Sequence, residues 1–243
     1  MSEIRELSIL VVDDEPDLAE LLAFEFELLG ANVKNAANGR EAFEWIKKNP
    51  VDVVISDIRM PGGDGVELLD NLKQMNQHKP VLIFMTGFAD LALEDAYDKG
   101  AAAMFGKPFN RNELLKTVSM SVLPLTKRWH SEWTKTNHEF VLQEKFKNWA
   151  VAEERLSCGQ GGFFFGISDK LPATNDLIKF SIQIEEGPIH KIEGEGVVRW
   201  VRRQEKVGLR KGVGVEIRSV LGDDRNQFIN MMQQINTKAF IPR

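Results

Sequence analysis

The feature that most constrains this chain is an alternation that fills its first half. Runs of strand length, apolar at neighbouring positions, are each followed by a stretch with helical periodicity. Residues 7–12 (LSILVV), 51–56 (VDVVIS) and 80–85 (PVLIFM) are the strongest runs. Strands apolar at neighbouring positions are buried on both faces, as in a parallel sheet covered by helices. Weaker strands are expected at 31–36 and 101–105. Pro16 suits a helix start and Gly30 a helix end, with Leu18, Leu21, Leu22 and Leu29 at helical spacing between them. Further helices are expected at 39–49, 64–75, 90–99 and 110–120, the last capped by Asn110. Five strand–helix repeats in the first ~120 residues imply an α/β doubly wound, five-stranded parallel sheet. Sites in such sheets form at the carboxyl ends of the strands.

The residues at those ends share a chemistry. Asp13 and Asp14 follow the first run, and Asp57 follows the run at 51–56. Neighbouring strands would bring three carboxylates to one edge, which is costly without a compensating charge. A hard cation such as Mg²⁺ accepts a few carboxylates while keeping waters. Thr86 supplies a hydroxyl after the run at 80–85, and Lys107 a mobile positive charge after 101–105. Together they fit phosphoryl chemistry, with Asp57 attacking phosphorus while a metal and a lysine neutralise its oxygens. Taken singly, Asp13 or Asp14 is equally a helix cap, Thr86 a turn hydroxyl and Lys107 a solvated charge. The joint placement after successive strands carries the reading.

The second half changes character. Residues 123–137 (LPLTKRWHSEWTKTN) are polar, basic and opened by Pro124, and read as a linker, or, with Trp129 and Trp133 four apart, as a helix packing an aromatic pair. Residues 140–154 lack Gly and Pro, and Phe140, Phe146, Trp149 and Ala150 fit a helix there, although part of the stretch fits a strand equally. Short alternating runs follow at 177–184, 192–201 and 212–217, after the glycines at 159, 161 and 162. They predict a small antiparallel β-barrel closed by a helix at 223–235. The expected organisation is 1–122, a linker 123–137, and 138–243 with a helical segment at its start.

Composition excludes several classes. One Cys in 243 residues rules out a disulfide framework and a Cys-based zinc site. No apolar run approaches the ~20 residues of a membrane span, so no membrane partner is expected. Charged residues at Glu3, Arg5, Glu6, Asp13 and Asp14 are unlike a signal peptide, and a cytoplasmic location is expected. Residues 1–122 hold 12 Lys+Arg against 21 Asp+Glu, a net of −9, whereas 123–243 hold 19 against 15, a net of +4. The acidic half would repel nucleic acid. In the basic half, Arg199, Arg202, Arg203, Lys206, Arg210 and Lys211 cluster, either as a solvated hairpin edge or as an anion-binding face.

Residues 4–121 resemble the receiver domain of two-component response regulators (CheY-like). The carrying motifs are VVDDEP at 11–16, ISDIRMPGGDG at 55–65, MTG at 85–87 and FGKPF at 105–109. The resemblance implies that Asp57 is the phospho-acceptor, and that Asp13, Asp14, Asp57 and the Arg59 backbone carbonyl hold Mg²⁺. It implies phosphoryl contacts from Thr86 and Lys107, a cis Lys107–Pro108 bond, and an inward turn of Phe105 on phosphorylation. A sensor histidine kinase or phosphotransfer protein would be the donor. Asp-nucleophile phosphohydrolases use a similar site but need a second Asp two residues on; Arg59 stands there, so no enzyme is expected.

Residues 155–235 resemble a PilZ domain through SCGQGGFFF at 157–165, GEGVVRW at 194–200 and GVGVEI at 212–217. Many such domains bind cyclic di-GMP through an R-x-x-x-R arm and a D/N-x-S-x-x-G turn. The turn aligns with Ser157, Gly159 and Gly162, where two motif positions differ, and no R-x-x-x-R occurs in 123–156. Arginine matters there because its planar fork grips phosphate bidentately. The expectation is a response regulator whose PilZ-like output works through protein contacts. A homodimer, a phosphorylation-controlled cyclic di-GMP receptor and a DNA-binding regulator stay open as alternatives.

Overall fold

The computed structural model describes residues 4–76, 79–87, 91–129, 140–158, 161–167, 170–187, 189–205, 210–222 and 225–234. The chain divides into two compact units, Met1–Leu123 and Pro124–Pro242.

In the first unit, strands and helices alternate: β1 Ser8–Val12, α1 Pro16–Glu27, β2 Asn32–Ala36, α2 Gly39–Ile46, β3 Val53–Asp57, α3 Gly65–Met75, β4 Val81–Thr86, α4 Leu93–Asp98, β5 Ala103–Gly106 and α5 Arg111–Val122. The sheet order is β2-β1-β3-β4-β5, and every pairing is parallel. Both faces of β1, β3 and β4 are buried, as the apolar runs require. Leu10, Val12, Val54, Leu82 and Phe84 pack with Ala42 and Ile46 of α2 and Leu68, Leu69 and Leu72 of α3. On the opposite face, Met85 adjoins Leu18, Leu22 and Phe26 of α1 and Leu114 of α5 around a cavity of about 200 Å³. Local chemistry starts the helices. Pro16 opens α1, while Asn38, Asp64 and Asn110 accept N–H groups at the starts of α2, α3 and α5.

The second unit contains α6 Leu125–Arg128, β6 Phe140–Phe146, α7 Trp149–Ala152, β7 Leu156–Cys158, β8 Gly162–Gly166, β9 Leu177–Ile184, β10 Lys191–Arg202, β11 Gly212–Leu221 and α8 Arg225–Gln234. Its sheet runs β6-β9-β10-β11-β8-β7. The β6–β9 pair is parallel and the other pairs antiparallel, so the sheet is mixed, where an antiparallel one was expected. Register shifts at Glu195/Gly196 and Val198/Trp200 mark irregularities that curl β10. Leu142, Phe163, Phe165, Ile178, Phe180, Val198, Val215, Ile217 and Phe228 belong to its core.

Two expectations for this unit are corrected. Residues 140–154 do not form one helix: they are β6 and the single turn α7. Leu142 and Phe146 are buried four apart, which mimics a helical face, while Glu144 sits between them and hides the strand alternation. Glu144 is tolerated at that position because Arg155 pairs with it bidentately at 3.0 and 3.1 Å. The described part of 123–137 is not simply a linker either. Leu125 and Trp129 are buried in the core, and Trp129 stacks on Phe228 with centroids 5.7 Å apart. Trp133 lies outside the described residues.

Candidate functional site

The parallel order places the ends of β1, β3, β4 and β5 along one edge of the first sheet. Asp13 follows β1 and is buried, Asp14 beside it is exposed, and Asp57 ends β3 half-buried. Carboxylate oxygens of Asp13, Asp14 and Asp57 lie within 4.8 Å of one another. Lys107, just beyond β5, reaches between two of them, its Nζ 2.7 Å from Asp57 Oδ2 and 2.9 Å from Asp13 Oδ2. Backbone donors fix the remaining oxygens: Ile58 N–H to Asp57 Oδ1 at 2.6 Å and Glu15 N–H to Asp13 Oδ1 at 3.0 Å. Burial works to lower the Lys107 pKa, but its hydrogen bonds to Asp57 and Asp13, and their charges, outweigh that effect and raise it. The ammonium is therefore charged at neutral pH and offsets part of the carboxylate repulsion.

The other expected site residues fall as follows. Thr86 ends β4 and is buried, and its carbonyl accepts the Lys107 N–H at 2.6 Å. Phe105 is a buried residue of β5. Arg59 is exposed, two residues beyond Asp57 in the connection to α3. The Lys107–Pro108 bond is cis. Three hard oxygen donors, one buried, one half-buried and one exposed, fit Mg²⁺, which takes few protein ligands and keeps waters.

Sequence reasoning missed the supports beneath this site. Ser56 is fully buried and donates to the Asp57 carbonyl at 2.7 Å. At Gly65 a Cβ would stand 2.2 Å from that same carbonyl oxygen, so only glycine lets α3 start there. The available signals were a serine inside an apolar run and a glycine directly after the capping Asp64.

In the second unit only part of the expected ligand turn lies among the described residues. Ser157 is an exposed residue of β7, and Gly159 lies outside the described residues. Gly162 is a strand residue of β8; its Cβ would meet the Val215 carbonyl oxygen at 1.8 Å. The basic cluster is partly spent internally. Arg199 pairs with Glu216, and Arg202 lies 5.1 Å from the ring centroids of both Phe164 and Trp200 and is only 2% exposed. Lys206 lies outside the described residues.

Comparison with known proteins finds matches over the first unit. A family model described as the response regulator receiver domain matches residues 9–119. The chain is 35% identical over 118 residues to sporulation initiation phosphotransferase F of Bacillus subtilis, covering 48% of this chain and 94% of that protein. It is 37% identical over 113 residues to the DNA-binding transcriptional regulator NtrC of Escherichia coli, covering 46% of this chain but only 24% of that protein. Among solved structures, the chemotaxis response regulator CheY4 of Vibrio cholerae matches at 30% identity and a TM-score of 0.44, over 48% of this chain and 98% of that one. Among the described residues, no helix is long and apolar enough to cross a membrane.

Proposed function

This chain belongs to the response-regulator receiver family, and from that premise we propose that its first unit accepts a phosphoryl group on Asp57 and switches the second. The observation that carries the proposal is the convergence of Asp13, Asp14 and Asp57 with Lys107 bridging two of them. Receiver domains interact with histidine kinases or phosphotransfer proteins, so the donor is a phosphohistidine of such a partner. An Asp57 carboxylate oxygen forms the new bond to phosphorus, the bond from phosphorus to the histidine nitrogen breaks, and the imidazole leaves. Asp13, Asp14, Asp57 and the Arg59 backbone carbonyl would hold Mg²⁺, which supplies Lewis-acid neutralisation of the phosphoryl oxygens when bound.

The protein's own groups do the rest. The Ile58 N–H holds one Asp57 oxygen in place. Lys107 can exchange its contact with Asp57 for one with a phosphoryl oxygen, and the Thr86 hydroxyl would contact that group as well. The acyl phosphate adds close to two negative charges. Repositioning of Thr86 and Phe105 would pass that change to β4, β5 and the adjoining helices. The chain then acts as a stoichiometric switch, not an enzyme that turns over a substrate; Arg59 in place of a second acid supports that reading.

For the output, we favour a PilZ-like domain acting through protein contacts. The curled six-stranded sheet with a following helix supports it, while the absence of an R-x-x-x-R arm from the sequence of 123–156 and the internal use of Arg199 and Arg202 weigh against cyclic di-GMP. A DNA-binding output has less support. Arg225 is the only basic residue of α8, and its guanidinium is held by the Trp129 carbonyl at 2.9 Å. The test is labelling of the full chain by a small phosphodonor, acetyl phosphate, with Mg²⁺. Asp57→Asn should abolish labelling and keep the circular dichroism of the native fold; persistent labelling of that variant would contradict the assignment.

A further inference from the structure

We infer that Ser56 is a positioning residue for Asp57, acting through the peptide unit that joins Asp57 to Ile58. The inference rests on the phosphoryl-accepting reading above. Ser56 registers against Val12 of β1 and Phe84 of β4. Its sheet layer is otherwise apolar, formed by Leu10, Val12, Val54, Leu82 and Phe84. A hydroxyl buried at 0% exposure in such a layer costs stability unless it is hydrogen-bonded. Ser56 donates to the Asp57 carbonyl oxygen at 2.7 Å.

That carbonyl belongs to the same peptide unit as the Ile58 N–H. The N–H, at the opposite side of the unit, is the group that holds Asp57 Oδ1 at 2.6 Å. A peptide unit is planar, so fixing its carbonyl fixes the direction of its N–H. The chain of causes runs from the Ser56 hydroxyl to the carbonyl, to the Ile58 N–H, to Oδ1, and leaves Oδ2 facing Lys107 Nζ at 2.7 Å. Gly65 packs against the same carbonyl. Its missing Cβ would stand 2.2 Å from the same carbonyl oxygen and 3.0 Å from Ser56 Oγ, and its N–H donates to the Ile58 carbonyl at 2.9 Å. The Asp57–Ile58 peptide unit is thus bonded by the serine hydroxyl, while the start of α3 packs against the same carbonyl and anchors the peptide unit that follows. Small losses of alignment at an attacking atom have large effects on rate, so this support bears on phosphoryl transfer and not only on folding.

The experiment uses the full chain with Mg²⁺ and acetyl phosphate, comparing the wild type with Ser56→Ala and Ser56→Thr. Ser56→Ala should lower the maximal phosphorylation rate about fivefold, the equivalent of one ordinary hydrogen bond. The half-saturating acetyl phosphate concentration should stay unchanged, because no donor contact is touched. The Ile58 amide proton should move upfield in the ¹⁵N–¹H spectrum as its bond to Oδ1 loosens. Ser56→Thr keeps the hydroxyl and should recover the wild-type rate and amide position. A labelled wild type beside a Ser56→Ala variant with the same maximal rate and an unmoved Ile58 amide overturns the inference alone. A Ser56→Thr variant as slow as Ser56→Ala also overturns it. An unlabelled wild type overturns the phosphoryl-accepting reading, and the inference with it.

Discussion

Arg155 and Glu144 join the two ends of the second sheet. Glu144 lies on β6, at one end of the strand order, and Arg155 immediately precedes β7, at the other end. The guanidinium grips the carboxylate with two bonds of 3.0 and 3.1 Å, lies 4.9 Å from the Phe165 ring centroid and donates to the Gly166 carbonyl at 3.2 Å. A side-chain clasp therefore spans edges that, among the described residues, no backbone ladder connects. Arg155→Ala removes the clasp and leaves Glu144 without that partner on an inward-facing position. The side chains are partly exposed, so the expected loss is modest, about 1–2 kcal/mol. Urea unfolding of the second unit should show it; an unchanged midpoint would mean that the clasp adds nothing.

Trp129 should prove a core residue of the second unit although it follows the first by only a few positions. It is fully buried, stacked on Phe228, and its carbonyl accepts from Arg225. Trp129→Ala should cost about 3–5 kcal/mol in that unit. Thermal unfolding followed by calorimetry should lose or shift one transition and leave the receiver transition in place. A shift confined to the receiver transition would contradict the assignment.

Lys73 on α3 makes the receiver's stability depend on pH. Burial lowers its pKa to about 8. In the unfolded chain the value returns to about 10.4. Below pH 8 the folded state must hold a charge that burial disfavours, so this residue's contribution improves as pH rises from 8 towards 10.4. Lys73→Met should therefore stabilise the receiver at pH 7, by up to about 3 kcal/mol, with the gain fading by about pH 10. Urea midpoints at the two pH values check this; an equal gain at both would remove the burial argument.

Lys107→Ala separates the two tasks given to that lysine. The variant loses the cation between Asp13 and Asp57 but keeps all three carboxylates. It should still bind Mg²⁺ and accept phosphate, more slowly, while the conformational response is lost. Amide spectra with and without beryllofluoride, an acyl-phosphate mimic, test this. A wild-type pattern of shifts across β4 and β5 in the variant would take Lys107 out of the switch.

The receiver was legible because its signals are local. Consecutive apolar residues mark strands buried on both faces, and the polar residue closing each run, Asp57 after Ser56 or Thr86 after Met85, points to the site edge. The second unit was less legible because its signals depend on distant partners. Glu144 breaks the alternation of β6, and only Arg155, eleven residues on, makes it compatible with an inward position. The parallel pairing of β6 with β9 leaves no mark in either strand. Trp129 stood in a polar, basic stretch whose composition outweighed one buried ring. At the site, the carboxylates and lysine were readable from chemistry, but the role of Ser56 follows only from the bond it makes to Asp57.

The central claim is that Asp57 carries the phosphoryl group, and trapping the acyl phosphate tests it most directly. The full chain is incubated with Mg²⁺ and acetyl phosphate, reduced with borohydride, and mapped by peptide mass spectrometry. Borohydride converts an aspartyl phosphate to homoserine. The account predicts homoserine at position 57, dependent on both Mg²⁺ and the donor. Homoserine at another aspartate, or none in a chain with its native fold, would contradict it.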